Sequence, residues 1–304
     1  MQYRNLGNTG LQISAVGLGT WALGGGYDWG NSSLQDAQRT VAAAVDVGIN
    51  VIDTAPVYGQ SEEFLGRALA GKRNKFLLST KCGLVKNGSW TDHDLRPATI
   101  VSQLETSLKK LKTNCIDLYW IHYLDPQVAW QEVLRTLEQL RAQGKIRYIG
   151  VCNVAHDILA EIAATGVISC VQDELSLLHP HKAFLLNVCQ QYHLGFFAYG
   201  PLCGGILSGK YKQEPNFRRA DARNYFYKCY RADAYKQAQT RVEKVKQLAC
   251  QKQVAPAQVA LAWVLAQPGV TSVLAGARQE AQVFQNAQAA QVELSTEEIC
   301  NLLK

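Results

Sequence analysis

The stretch Asn50-Val51-Ile52-Asp53-Thr54-Ala55-Pro56-Val57-Tyr58-Gly59-Gln60-Ser61-Glu62-Glu63-Phe64-Leu65-Gly66-Arg67-Ala68-Leu69-Ala70 reads as one strand, one loop and one helix. A short apolar run over Asn50–Asp53 ends on a carboxylate, and an amphipathic segment follows over 62–70. Ser61 ahead of Glu62 and Glu63 has the chemistry of a helix N-cap, with acidic charge where the helix dipole favours it. Gly71 stands where a left-handed C-cap takes glycine.

The same unit recurs outward in both directions. Strands are expected at Ala15–Leu18, Asn50–Asp53, Phe76–Lys81, Cys115–His122, Tyr148–Val151, Cys170–Asp173, Gly195–Tyr199 and Thr271–Leu274. Helices are expected at about 33–41, 62–70, 97–111, 128–143, 156–163, 181–192, 235–250 and 281–290, with an additional one at 256–266. Pro97 suits a first helical turn, Gly144 suits a C-cap, and Ser295 with Glu298 has capping-box spacing. Strands alternating with helices imply a parallel sheet, because each crossover must return to the same edge. Eight such units are the number that closes a barrel.

The expected fold class is therefore α/β, a (β/α)8 TIM barrel in one domain over residues 1–304, since no Ser/Gly/Pro-rich linker divides the chain. The competing open, doubly wound sheet would carry Gly-x-Gly-x-x-Gly after its first strand, and Gly24-Gly25-Gly26 has the wrong spacing. Tyr3–Leu6 and Leu11–Ile13, joined through Gly7-Asn8-Thr9-Gly10, read as an N-terminal β-hairpin able to plug the barrel end opposite the active site.

Composition narrows the class further. With 47% hydrophobic and 18% charged residues the chain has ample material for a core. Its longest apolar runs, such as Val270 to Ala277, are too short and interrupted to span a bilayer, so no membrane association is expected. The first residues lack the apolar stretch of a secretory signal. The formal charge of +6 is scattered, and Lys72-Arg73-Asn74-Lys75 reads as a solvated loop rather than a nucleic-acid patch. Nine cysteines without a CxxC pair point to free thiols and a cytoplasmic setting. No metal site is expected, since His122, His93, His156, His179, His181 and His193 form no ligand cluster in the sequence.

Barrel active sites form at the carboxyl ends of the strands. Read in order, those ends are Gly19-Thr20-Trp21, Asp53, Lys81, His122, Asn153, Gln172, Tyr199 and Gly276. Taken singly, each fits an ordinary strand terminus. Side chains alternate along a strand, however, so Leu77, Ser79 and Lys81 share one face, as do Leu118, Trp120 and His122. If those faces point inward, a carboxylate, an ammonium, an imidazole and the phenol of Tyr58 converge. A lysine cation beside a phenol lowers its pKa, and a carboxylate keeps the lysine charged. A neutral imidazole can orient a carbonyl oxygen by a hydrogen bond.

Asp53-Thr54-Ala55-x-x-Tyr58-Gly59, Lys81 of Ser-Thr-Lys and Ile121-His122 together resemble the catalytic tetrad of the aldo-keto reductase superfamily, in order and spacing. The likeness runs along almost the whole chain and is nearest to the bacterial, broad-specificity branch. Gly17-Leu18-Gly19-Thr20-Trp21 is similar to its first strand-end loop, and Gly144–Val151 with Asn153 to its Gly-x-Ser-Asn segment. Gln172 with Glu174, Ser176, Leu177 and Leu178 looks like its Gln-x-x-x-Ser/Asn-Leu-Leu stretch.

The resemblance implies an oxidoreductase that transfers hydride reversibly between NADPH and an aldehyde or ketone. Tyr58 would be the general acid, Lys81 and Asp53 its support, and His122 the orienting donor. Asn153 and Gln172 would hold the nicotinamide carboxamide, with Tyr199 stacked on the ring. Gly200-Pro201-Leu202, Gly205 and Lys210 belong to a glycine-punctuated loop similar to the family's pyrophosphate cover. Gly276 and Arg278 lead into a helix bearing Gln282 and Asn286 on one face; Arg278 would meet the ribose phosphate and favour NADPH over NADH, and Gln282 and Asn286 would contact adenine.

The family pattern is broken at Cys152 for serine, Gly200 for serine and Ala275 for proline. Cys152 and Cys203 are expected near the cofactor, as buried inert thiols or as oxidation-sensitive ones. The arginine- and aromatic-rich segment 216–235 reads equally as a lid or as rim packing, and Trp21, Tyr27, Trp29 and Trp90 as an aromatic pocket for a small aldehyde. The family also contains cofactor-holding sensor subunits of potassium channels, which leaves a non-catalytic NADPH-binding role as the alternative. Neither the physiological substrate nor the oligomeric state is legible in the sequence.

Overall fold

In a computed structural model of the chain, residues 1–88, 90–180 and 182–304 are described, Ala183 by its backbone alone. Eight parallel strands close into a barrel: β1 (Val16–Gly19), β2 (Val51–Asp53), β3 (Leu77–Cys82), β4 (Ile116–Ile121), β5 (Ile146–Cys152), β6 (Cys170–Glu174), β7 (Gly195–Tyr199) and β8 (Val270–Gly276). Each pairs with its neighbour in sequence, and β8 returns to β1 through Val273↔Val16 and Gly276↔Gly19. The expected strands are all present, with ends at most two residues from those expected and Gly195–Tyr199 matched at both. His122 lies just past β4 rather than inside it.

Strand periodicity explains where the chemistry sits. Ile52, Leu78, Tyr119 and Ile121 point outward into the core shared with the helices. Val51, Leu77, Leu118, Trp120, Cys152, Cys170, Phe197 and Leu274 point inward and fill the barrel. Moving two residues along the same inward face takes Leu77 to Ser79 and Lys81, Trp120 to His122, Val51 to Asp53, and Cys170 to Gln172. The interior is thus apolar at the amino ends of the strands and polar at their carboxyl ends. Gly150 belongs to this packing: a Cβ there would sit 2.2 Å from the Trp120 ring.

The hairpin pairs Tyr3–Asn5 with Gln12–Ser14 and closes the apolar end. Leu6 and Ile13, both fully buried, join the interior cluster beneath Val51, Leu77 and Leu118. Arg4 donates to the carbonyls of Leu265 and Val270 at 3.0 and 2.7 Å, which fastens the plug to the chain entering β8.

Helices surround the barrel at Leu34–Asp46, Ser61–Ala68, Pro97–Leu111, Trp130–Ala142, His156–Ala164, Ala183–Gln191, Ala232–Lys252 and Glu280–Gln288, with Pro256–Leu265 as the additional one. The expected start of the sixth at residue 181 lies outside the described residues. Pro97 occupies the first turn of its helix, and Ser295 with Glu298 makes the expected capping box. Ser61 is not the cap. It is the first helical residue, fully buried, and its hydroxyl donates to Thr20 Oγ1 and accepts from Thr54 Oγ1, each at 2.8 Å. The loop beneath the active site claims it. Leu84–Asn87 and Trp90–His93 form a second hairpin on the active-site rim, where no element was expected. Among the described residues no helix is long and apolar enough to cross a membrane.

Leu6→Ala removes the plug's main apolar contact. It should lower unfolding stability by about 2–5 kcal/mol, the usual loss for a buried leucine, while leaving secondary structure intact. Urea denaturation read by fluorescence and circular dichroism measures this.

Candidate active site

Asp53, at the end of β2, accepts from Lys81 Nζ through Oδ2 at 2.5 Å. Its other oxygen accepts from Ser79 Oγ at 2.7 Å and from Gln172 Nε2 at 3.2 Å. Lys81 also donates to the Thr54 carbonyl at 2.8 Å and is fully buried. A buried ammonium is costly unless paired and hydrogen-bonded, and here both conditions are met. Its Nζ lies 4.9 Å from the centre of the Tyr58 ring. His122 stands nearly perpendicular to Tyr58, with ring centres 6.0 Å apart, and Trp21 stacks on Tyr58 at 5.8 Å.

The protonation states follow from this packing. Burial works against the Lys81 ammonium, but Asp53 and then Tyr58 outweigh it, and the amine is held above its usual range. Burial pushes the Tyr58 phenol up to about 12, against the pull of Lys81. The sequence-based expectation of a net lowered phenol is thereby corrected: desolvation outweighs the cation. Tyr58 keeps its proton at neutral pH. His122 is pushed well below the usual imidazole range, first by burial and then by Lys81, so it is neutral. An oxygen seated between Tyr58 and His122 would meet two neutral donors backed by a fixed cation.

Asp53, Tyr58, His122 and Trp21 line the inner part of a cavity of about 1400 Å³ that also reaches Arg278, Gln282 and Asn286. That exceeds the usual volume for a drug-sized ligand, roughly 300–1,000 Å³. Every residue expected to bind the cofactor lines it, from Gly19, Thr20 and Trp21 through Asn153, Gln172 and Tyr199 to Gly276. Lys81 does not. Asn153, in a left-handed conformation with φ 56°, donates to the His122 carbonyl at 3.0 Å and accepts from Tyr199 Oη at 2.7 Å.

The loop after β7 forms one wall through Gly200, Pro201, Leu202, Gly205 and Lys210. Gly205 has φ 99°, and a Cβ there would sit 3.0 Å from Lys210 Nζ, so glycine leaves room for the ammonium. At the far end Arg278 donates to the carbonyls of Trp29 and Asn31, and its backbone N–H donates to Gln282 Oε1 at 2.8 Å. Asn286 Nδ2 donates to the Gly276 carbonyl at 3.4 Å.

The segment 216–235 reaches across the cavity. Arg218 donates to the carbonyls of Gly26 and Tyr27 at 3.1 and 2.6 Å, and Tyr225 donates to Asp28 at 2.6 Å. Phe226 packs edge-on against Trp21, which itself donates to Asp28. Of the expected aromatic pocket, Trp21 and Trp29 meet edge to face at 5.4 Å, whereas Tyr27 and Trp90 are largely exposed at the mouth. Sequence reasoning missed Asp28, which links Trp21 to the segment; no motif surrounds it. It also missed Tyr123, which lines the cavity, whereas Arg223, another lining residue, belongs to the segment 216–235 already singled out. Cys152 is fully buried within the barrel and its thiol is raised well above the usual range, chiefly by burial, as an inert thiol would be.

The model of the aldo/keto reductase family matches residues 15–303. An aldo-keto reductase of Bacillus subtilis is 37% identical over 93% of this chain and 87% of its own. An NADH-specific methylglyoxal reductase of Escherichia coli is 32% identical, over 95% and 94%. A glycerol dehydrogenase from Gluconobacter oxydans superposes with a TM-score of 0.89 at 33% identity, covering 99% of this chain and 94% of that one.

The neutral His122 carries a pH signature. Its folded pKa is depressed, so below about 6.5 the unfolded chain binds a proton that the folded chain refuses. Stability should fall as pH drops from about 6.5, by up to about 1.4 kcal/mol per unit from this group. Comparing urea unfolding of the wild type and His122→Gln from pH 7 to pH 5 isolates the slope, which the variant should lose.

Proposed function

This chain belongs to the aldo/keto reductase family and reduces carbonyls as an oxidoreductase, and we propose that it works with NADPH through Tyr58 as the general acid. The observation that carries the reading is the Asp53–Lys81 pair buried beside Tyr58 and His122, which line a cavity of about 1400 Å³ that also reaches Arg278.

A reduced nicotinamide cofactor supplies the hydride when bound. The protein's part is to receive the charge that appears on the substrate oxygen. His122, neutral, donates a hydrogen bond that orients the carbonyl oxygen toward Tyr58. As that oxygen becomes anionic, Tyr58 hands over its proton. The phenolate left behind lies beside the Lys81 cation, which Asp53 holds in place. Charge moves between fixed partners, so little reorganisation accompanies the transfer.

Tyr199 offers a flat face for the nicotinamide, with Asn153 and Gln172 as carboxamide partners. Gly200, Pro201, Leu202, Gly205 and Lys210 form the phosphate wall. Arg278 is assigned to the ribose phosphate, which requires its guanidinium to turn from the Trp29 and Asn31 carbonyls toward the ligand. Among the relatives one is named NADH-specific and another, from Schizosaccharomyces pombe, carries NADP(+) in its name; Arg278 favours the phosphorylated form here. Trp21, Trp29 and Phe226 leave an apolar recess suited to a small aldehyde or dicarbonyl, and free cysteines accord with a reducing, cytoplasmic setting.

Tyr58→Phe should lower turnover by at least about 10²–10⁴-fold, the scale of a lost general acid, while NADPH affinity stays near that of the wild type. Following nicotinamide oxidation with a panel of aldehydes, dicarbonyls and sugars tests this; wild-type turnover in the variant would overturn the assignment. Binding of NADPH with no turnover on any of them would mark a sensor instead. Arg278→Ala should weaken NADPH far more than NADH in fluorescence titrations, and equal loss of both would remove the phosphate assignment.

A further inference from the structure

The wall formed by the loop after β7 has a rear face that the reaction does not use. Cys203 lies there, fully buried and outside the cavity lining. Behind it stand Glu174, the last residue of β6, and His179, which a turn folds back toward the same point. The turn is held by the His179 N–H, which donates to the Ser176 carbonyl and to Ser176 Oγ, both at 3.1 Å.

One oxygen of Glu174, one ring nitrogen of His179 and Cys203 Sγ all lie within 4.8 Å of one another. His179 Nδ1 is 3.2 Å from Glu174 Oε1 and 3.7 Å from Cys203 Sγ. Donors about 2.0–2.3 Å from a common tetrahedral centre are separated by roughly 3.3–3.7 Å, so two of the three gaps are already close to the edges of a zinc site and the third is within 4.8 Å.

We propose that Glu174, His179 and Cys203 form a binding site for one borderline-soft divalent cation, zinc before others, with a fourth position open to solvent. Thiolate, imidazole and carboxylate are the donor types such an ion takes, whereas magnesium or calcium would want more oxygen. Three further features fit. Ser176 Oγ lies 3.0 Å from Cys203 Sγ, an outer partner that orients the sulfur. Gly200, at φ 64°, passes so near that a Cβ would come within 3.4 Å of Glu174 Oε1, and glycine keeps that carboxylate free to turn. The His179 and Glu174 side chains are 37% and 25% exposed, which opens a path for the ion.

Cys203 is held protonated by its contact with Cys229 and by burial, and the cation displaces that proton on binding. Cys229 does not belong to the mutually close trio. A bound ion would tie the loop after β7, and with it the phosphate wall, to the end of β6. None of the three residues lines the cavity or belongs to the set around Tyr58, so the site holds or fails independently of the catalytic reading.

Cobalt(II) is the probe. The full chain, freed of metal by a chelator and kept reduced by a non-thiol reductant, is titrated with cobalt(II) and followed by absorption. The expected result is one equivalent bound, with a sulfur-to-cobalt charge-transfer band in the near ultraviolet that zinc abolishes by displacement. Cys203→Ser should lose the band. His179→Ala, at a partly exposed position, should weaken binding by at least about tenfold, a loss that removing even an outer partner of a metal ligand produces. The Cys250→Ser/Cys300→Ser double variant, which removes the two exposed thiols, should keep the band. No band in the wild type, a band surviving Cys203→Ser, wild-type affinity in His179→Ala, or loss in the double variant would each overturn the site.

Discussion

The ion pair of Lys81 and Asp53 is the constraint around which the rest is arranged. An ammonium with no access to solvent persists only if its partner is close and the partner's remaining oxygen is also satisfied. Ser79 and Gln172 satisfy it, and the Thr54 carbonyl takes a second proton of the lysine. Three strand ends, those of β2, β3 and β6, therefore meet at one carboxylate, and a polar network ties them together.

That network also decides the acid–base character of the site. A cation beneath Tyr58 and His122 has opposite consequences for the two: it opposes the rise of the phenol's pKa and adds to the fall of the imidazole's. Burial acts on both in the direction of the neutral form. The outcome is two uncharged donors above one fixed charge, an arrangement that can meet a developing oxyanion without placing a mobile charge in the cavity.

The distribution of polarity along the barrel axis follows from the same source. Apolar residues occupy the lower inward positions of the strands and the hairpin seals them, so the polar layer opens in one direction only. The aromatic and arginine-rich segment then closes over that opening through Arg218, Tyr225 and Phe226. Its composition pointed to a role at the rim. Which carbonyls it would grip depends on Gly26 and Tyr27, about 190 residues away in the chain.

By itself the sequence determined the strand and helix order, the closure of the barrel, the hairpin plug and the residues at the strand ends. These depend on local periodicity and caps, which are properties of neighbouring residues. Tertiary structure alone decided what those residues do to one another. It set the net direction of the Tyr58 pKa, the diversion of Ser61 from capping to the loop under the site, and the gripping of Gln172 by Asp53. It also gathered Glu174, His179 and Cys203, which show no ligand spacing in the chain because one ends β6, one lies in the turn after it and the third in a loop beyond the next helix and strand. Desolvation and convergence are properties of enclosed space, and a linear order of residues does not contain them.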